Sequence, residues 1–137
     1  MEFWANGNHI VFNDCEETAT DVNNLSITEF TGTFLVNGNP GPASFEVDVT
    51  HALSALKVGQ TYPITTYFGL ADRSTLIYYP NSTDIFTTQS ANAEGIVTIT
   101  DVTDTTISGT FSGKLFEPGN ALVYTVTDGS FKAKINK

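Results

Sequence analysis

Carboxylates are the side chains of this sequence that could do chemistry. The stretch "NDCEETATD" holds four of them, Asp14, Glu16, Glu17 and Asp21, and calcium prefers hard oxygen ligands of this kind. The ligand spacing of an EF-hand is absent, so we interpret the stretch as an acidic surface loop and keep these four residues as a secondary metal candidate. The sequence therefore predicts no resident metal or cofactor.

Groups suited to nucleophilic catalysis are scarce. The sequence has two histidines, His9 and His51, and a poised base is the usual partner of a nucleophile. The serine in "GTFSG" lies in an alternating strand pattern and lacks the spacing of a G-x-S-x-G elbow. We predict a protein that is not an enzyme. The alternative is a glycoside hydrolase that uses two carboxylates about 5 to 10 Å apart across a cleft.

Aromatic residues give the stronger indication of binding. Amphipathic rings at a half-wet surface can stack on a sugar ring. Tyr78 and Tyr79 are neighbours in a predicted strand, so they point to opposite faces. Core packing is the favoured interpretation of each ring, and the binding hypothesis is a stacking platform that the exposed tyrosine of this pair would join. The candidate binding residues are Trp4, Tyr67, Phe68, Tyr78 and Tyr79.

The charge balance limits the class of partner. The chain of 137 residues has 15 acidic and six basic residues, for a net charge of −9, and residues 1–56 contain no Lys or Arg. Such a surface repels phosphate backbones, which excludes nucleic acid as the expected partner. A neutral glycan or another protein is the partner that this composition favours.

The elements that must position these residues are predicted to be strands. Threonine, phenylalanine and tyrosine are abundant and helix formers are few, which is a β-propensity composition. We predict one all-β domain over residues 1–137, an antiparallel β-sandwich of about eight to ten strands, with a β-barrel as the alternative. One short helix of one or two turns is expected in "THALSALKVG", residues 50–59, because Thr50 can cap it and Gly59 can end it.

Glycines alternate with large residues on the inner face of one predicted strand. In "ISGTFSGKL" the inward positions are Ile107, Gly109, Phe111, Gly113 and Leu115. A glycine on a buried face leaves room for a ring from a neighbouring strand. We therefore predict that Gly109 faces an aromatic ring, and that Phe34 of the similar "TGTF" stretch also points inward.

Turn signals divide the chain into these strands. Asn6-Gly7 predicts a tight hairpin between two short apolar runs. "NGNPGP" at 37–42 and the polar segment from Pro80 to Ala93 are predicted to be loops.

The sequence contains no apolar run of the roughly 20 residues that a transmembrane helix needs. The start "MEFWANG" lacks the regions of a secretory signal. If the protein is exported, we therefore expect its leader to be missing from this sequence. The single cysteine, Cys15, has no apolar leader before it and is expected to be a half-buried thiol at a strand end.

Three stretches resemble a known family. "FWANGNHIVF", "LKVGQTYPI" and "GIVTITDVTDTTISGTFSGKLFEPG" with "YTVTDGSF" are similar to small lipoproteins of unknown function that are common in Bacteroidetes. The resemblance implies a lipid anchor on a leader and a periplasmic or cell-surface location in a Gram-negative bacterium. It implies no catalytic residues. We expect a non-catalytic, envelope-attached or secreted domain that binds a glycan or an envelope protein.

Overall fold

Strands make up the regular structure of this chain. The computed structural model describes residues 1–65, 72–88, 94–119 and 121–136, and no helix occurs among them. The strands are β1 (Glu2–Ala5), β2 (Asn8–Val11), β3 (Asp14–Val22), β4 (Leu25–Val36), β5 (Asn39–Ala52), β6 (Thr61–Pro63), β7 (Arg73–Tyr79), β8 (Phe86–Thr87), β9 (Gly95–Val102), β10 (Thr106–Phe116) and β11 (Leu122–Ile135). The prediction of an all-β fold is confirmed.

The eleven strands of the described residues form one large mixed sheet in the order β2-β1-β11-β3-β4-β5-β7-β8-β10-β9-β6. An additional pairing of β11 with β10 joins two distant members of this order, so the pairings run in a closed circuit and one face of the sheet encloses the core. Most neighbours are antiparallel, but β11 and β3 pair in parallel through Lys134–Glu16 and Ile135–Glu17. This short parallel contact joins the first part of the circuit to the last.

The predicted packing of rings over glycines is confirmed in β10 and β11. Gly109 lies opposite Phe131, and Phe111 lies opposite Gly129. A Cβ added to Gly109 would come within 2.5 Å of the Phe131 ring, and one added to Gly129 would come equally close to Phe111. Each strand therefore supplies the ring that fills the space above the other strand's glycine, and the two rings stack with centroids 6.4 Å apart.

The predicted helix at 50–59 is wrong. Strand β5 continues through Ala52, because Thr50 and His51 pair with β4 residues in the register of the sheet. The chain then leaves the sheet as a loop that buries Leu56 and exposes Leu53. A helix here would forfeit the strand pairing at its first turn, and only one of its two leucines would reach the core.

Four loop or core predictions need correction as well. Residues 14–21 form strand β3 rather than a loop, and the predicted loop at 37–42 is a tight hairpin in which Asn37 and Gly38 adopt positive φ angles of 53° and 80°. Phe34 is 47% exposed because the pairing register shifts between Thr33 and Leu35, which turns its ring outward. The segment after Pro80 contains the short strand β8. The Asn6-Gly7 hairpin between β1 and β2 is confirmed.

Cys15 lies in β3 and is buried. Its pKa is raised to about 11, mainly by burial. The thiol is therefore protonated and poorly reactive at neutral pH.

Candidate functional site

The outer surface of β3, β4, β5 and β7 carries most of the carboxylates of the first half of the chain. Strand pairing sets its residues in cross-strand rows, which are Asp14–Thr33–Ser44–Tyr79, Glu16–Thr31–Glu46–Ile77 and Thr18–Glu29–Asp48–Thr75. We call this surface the acidic face. Its rows bring carboxylates from three separate strands, β3, β4 and β5, onto one surface.

Three carboxylates of the acidic face converge. One oxygen from each of Glu29, Glu46 and Asp48 lies within 4.8 Å of the other two. The pKa of Asp48 is raised to about 7, first by burial and then by the carboxylates of Glu46 and Glu29, against the lowering effect of a hydrogen bond from the Thr75 hydroxyl. Burial and Glu29 also raise the pKa of Glu46. Near neutral pH the cluster therefore holds a proton on Asp48 part of the time.

The hydrogen bonding of the two Asp48 oxygens explains why the protonated form of this side chain is favoured. Oδ2 accepts a hydrogen bond from Thr75 Oγ1 at 3.4 Å, whereas Oδ1 is buried without a hydrogen-bond partner. A protonated Oδ1 could donate to a carboxylate of Glu29 or Glu46, which would satisfy a buried acceptor and relieve the repulsion of like charges. The arrangement can thus store and exchange one proton.

The four metal candidates predicted from the sequence do not share one surface. Because 14–21 is a strand, Asp14 and Glu16 point outward while Glu17 is buried on the inner side. Lys134 Nζ donates to Asp14 Oδ1 at 2.6 Å, and Asp21 lies near the far end of the strand. In the described ranges the carboxylates that could hold an ion together are instead Glu29, Glu46 and Asp48. They supply three ligands, whereas calcium takes six to eight oxygens.

A second part of the outer surface, formed by other strands, has a different chemistry. On the outer surface of β2, β1, β11, β10, β9 and β6, strand pairing produces a row that runs Val11–Glu2–Ser130–Thr110–Thr98–Thr61. Four consecutive strands therefore each contribute one hydroxyl. We call this surface the hydroxyl face.

Two shallow grooves flank this row and meet at Ser130. One has a volume of about 410 Å³ and is lined by Thr110, Ser112 and Asp128 among others. The second measures about 290 Å³ and includes Glu2 and Lys132. Both fall near the lower end of the volumes usual for small-molecule sites.

Trp4 lies on the hydroxyl face beside this row. It is 42% exposed, it pairs with His9 across the hairpin, and the two rings stack with centroids 4.7 Å apart and planes 13° apart. His9 Nε2 lies 2.8 Å from Glu2 Oε2, which fixes the imidazole. The stack presents an ordered, half-exposed indole at the surface.

The remaining predicted aromatic residues do not join Trp4. Tyr78 is only 8% exposed and packs edge-on against Phe3 and Tyr124, so it is the member of the tyrosine pair that lies in the core. Tyr79 points outward on the acidic face, where burial and then the nearby carboxylates raise its pKa. Tyr67 and Phe68 lie outside the described residues. The predicted platform is reduced to Trp4 on one face and Tyr79 on another.

A buried polar group that sequence reasoning missed occupies one end of the core. The hydroxyl of Thr28 lies 2.9 Å from Nε2 of His51, and Nδ1 of the same ring lies 2.8 Å from the Ala52 carbonyl oxygen. This geometry assigns Nδ1 as the donor to Ala52 and Nε2 as the acceptor from Thr28. Thr28 is 3% exposed and His51 is 5% exposed. The pair resembles a nucleophile and its base, but its burial makes it a link between strands β4 and β5.

Comparison with protein families gives one result. Residues 44–133 match the model of a domain of unknown function, DUF6252. The chain belongs to the DUF6252 family. The DUF6252 match includes Asp48 and the hydroxyls from Thr61 to Ser130, and it leaves Trp4 and Glu29 outside.

Other comparisons add no function to the DUF6252 domain. Searches of curated proteins and of solved structures find no significant match. In the part of the chain that the structure describes, no helix is long and apolar enough to cross a bilayer.

Proposed function

We propose that this DUF6252 domain is a non-catalytic binding module of the bacterial cell envelope, and that it holds a glycan or an envelope protein on its hydroxyl face. The observation that carries the proposal is the exposed Trp4 ring, ordered by His9 beside two grooves and a row of hydroxyls. A ring supplies stacking area and hydroxyls supply hydrogen bonds. Neither group performs chemistry on its ligand.

The location proposed for the domain is the periplasm or the cell surface of a Gram-negative bacterium, with a lipid anchor on a leader. This part rests on the resemblance to small lipoproteins described above. Fractionation of the native cells followed by detection with an antibody tests it. Recovery of the protein in the cytosolic fraction would contradict the proposed location.

The binding proposal is tested with neutral oligosaccharides. Trp4 is the sole tryptophan, so a change in its emission during titration reports binding at the hydroxyl face. Calorimetry with Trp4→Ala should show at least a fivefold loss of affinity, because stacking contributes about 1 kcal/mol or more beyond buried area. The matched control is Tyr79→Ala, which removes an aromatic ring from the acidic face and should leave the affinity unchanged.

A reversed result would contradict this proposal. If Tyr79→Ala abolishes binding and Trp4→Ala does not, the ligand binds at the acidic face. Melting curves of both variants confirm that each remains folded. If no glycan binds, the wild type and the Trp4→Ala variant are each immobilised and incubated with solubilised envelope proteins, and the retained proteins are compared. Retention that does not depend on Trp4 would also count against the hydroxyl face.

A second candidate function is a carboxylate-based glycoside hydrolase. The observation that favours it is the pKa of Asp48, raised to about 7, beside the carboxylates of Glu29 and Glu46. A protonated acid near an ionised carboxylate is the arrangement of retaining glycosidases, whose two carboxyl groups lie about 5 to 5.5 Å apart. Release of sugar from aryl glycosides that Asp48→Asn abolishes and Asp14→Asn leaves intact would establish the enzyme and overturn the non-catalytic proposal.

A further inference from the structure

The hydroxyls of the row on the hydroxyl face are available to a ligand. Thr61, Thr98, Thr110 and Ser130 follow one another across four neighbouring strands. In the described part of the chain, none of these four hydroxyls bonds to another protein group, whereas the loop hydroxyl of Thr103 is bonded to Thr106. Their hydrogen-bonding capacity is open to whatever lies on the surface.

The spacing of the row suits a repeating ligand. Neighbouring strands lie about 4.8 Å apart, so the four hydroxyls span about 14 Å in nearly regular steps. A pyranose ring in an extended oligosaccharide advances by a similar distance per unit. Successive sugars could therefore present their hydroxyls to successive strands, which a compact or single-ring ligand could not do.

The surroundings of the row favour a neutral chain. Glu2 Oε2 lies 2.8 Å from His9 Nε2, Asp128 lines one groove and Lys132 lines the other. A chain of uronic acids would meet Glu2 and Asp128 along its path, and a polycation would meet Lys132. A chain of neutral sugars passes these groups without like-charge repulsion.

The end of the row at β1 differs from the end at β6, so a bound sugar chain has one end beside Trp4. Glu2 continues the row beyond Ser130 on β1, and Trp4 lies two residues further along the same strand and on the same face. The last sugar of a chain that crosses from β6 to β1 therefore arrives beside the exposed indole. Sugar rings stack on such a surface, which makes Trp4 the strongest single contact and the hydroxyls the elements that sense length.

From this geometry we infer that the ligand of the hydroxyl face is an extended chain of neutral sugars, bound across the strands along the row from Thr61 to Ser130 and capped by Trp4. The inference rests on the proposed binding function and specifies its ligand class. It requires affinity to rise with the length of the oligosaccharide until the row is filled.

Oligosaccharides of β-1,4-linked glucose, mannose or N-acetylglucosamine, two to six units long, test the inference by calorimetry. Affinity for the series that binds should increase up to about five units and then level off, one unit for each of the four strands of the row and one for β1, which carries Trp4. Thr98→Val and Thr110→Val keep the shape of the side chain and remove the hydroxyl. Each should weaken binding of the longest chain about fivefold, because a hydrogen bond contributes about 1 kcal/mol.

The matched control is Thr31→Val, which makes the same change on the acidic face and should leave affinity unchanged. If Trp4→Ala weakens binding but Thr98→Val and Thr110→Val do not, or if disaccharides bind as tightly as hexasaccharides, the extended-chain inference is wrong and the binding function stands. Tighter binding of oligogalacturonate than of any neutral chain would also overturn the inference. Binding of every sugar that is insensitive to Trp4→Ala would overturn the proposed function itself.

Discussion

The acidic face and the hydroxyl face are built from the same kind of strand but differ in what they do with their polar groups. On the acidic face, Glu29, Glu46 and Asp48 are drawn together and partly buried, so their charges oppose folding. On the hydroxyl face, the row from Thr61 to Ser130 is neutral and its hydroxyls have no hydrogen-bond partners among the residues that the structure describes. Repulsion between carboxylates on the acidic face lowers the stability of the fold. The exposed hydroxyls of the other face can bind a ligand and cost the fold little stability.

The largest expected difference between the faces is the loss of stability when a glycine beneath each face is replaced by alanine. A Cβ at Gly109, under the hydroxyl face, would meet the Phe131 ring at 2.5 Å and the Thr98 backbone oxygen at 2.7 Å, whereas one at Gly32, under the acidic face, would meet the Met1 side chain at 2.9 Å. Gly109→Ala should therefore lower the free energy of unfolding by roughly 2 to 3 kcal/mol. Gly32→Ala should cost much less, because the Met1 side chain can move. Urea denaturation measures both, and equal midpoints would show that the two inner surfaces are packed with similar tolerance.

The next effect is confined to the acidic face and depends on pH. Because the folded-state pKa of Asp48 is raised from 3.8 to about 7, its contribution to stability is complete below pH 4 and is lost as the pH rises through 7. Asp48→Asn removes that loss. The variant should be more stable than the wild type by roughly 2 kcal/mol at pH 8, less than the full linkage value because the proton is shared in the cluster, and nearly equal to it at pH 4. An equal gain at both pH values would mean that packing, not charge, explains the effect.

The dependence of the melting temperature on salt concentration should differ between the faces by a smaller amount. Raising NaCl from about 20 mM to about 300 mM screens repulsion between exposed carboxylates and should raise the melting temperature by a few degrees. Glu29→Gln should reduce this salt dependence. Glu2→Gln on the hydroxyl face should not, because Glu2 lies outside the cluster of Glu29, Glu46 and Asp48. A larger reduction from Glu2→Gln would place the main repulsion on the other face.

The smallest expected effect is that of calcium. Three carboxylates converge on the acidic face, which is half or less of the oxygen ligands that calcium takes. We predict that millimolar calcium and EDTA give melting temperatures within about 1 °C of each other once ionic strength is matched. A rise of several degrees that Asp48→Asn removes would make the cluster a metal site.

Local patterns in the sequence were sufficient for some of these features. The Asn6-Gly7 turn, the all-β fold and the place of a ring over Gly109 follow from rules that involve few neighbouring residues. Tyr78 and Tyr79 were correctly divided between two faces because alternation is a property of any strand. Which tyrosine was buried depended on the partner strands, and the sequence does not contain that information in local form.

The candidate surfaces could not be predicted because they depend on register. Glu29 and Asp48 are 19 positions apart and become neighbours only through the pairing of β4 with β5. The row from Thr61 to Ser130 similarly requires three correct pairings. The helix predicted at 50–59 failed for the same reason, since capping signals were outweighed by strand pairing at Thr50 and His51.

The parallel contact between β3 and β11 has a consequence for how the chain matures. Strand β11 is the common partner of β1, β3 and β10. One edge of β1 and one edge of β3 therefore stay unpaired until the last strand of the chain has been made. During synthesis these edges are open to misassociation. Cys15 lies next to Glu16, one of the residues that pair with β11, and its thiol is shielded after closure. The rate at which Cys15 becomes inaccessible to an alkylating reagent would therefore time the closing step of the circuit.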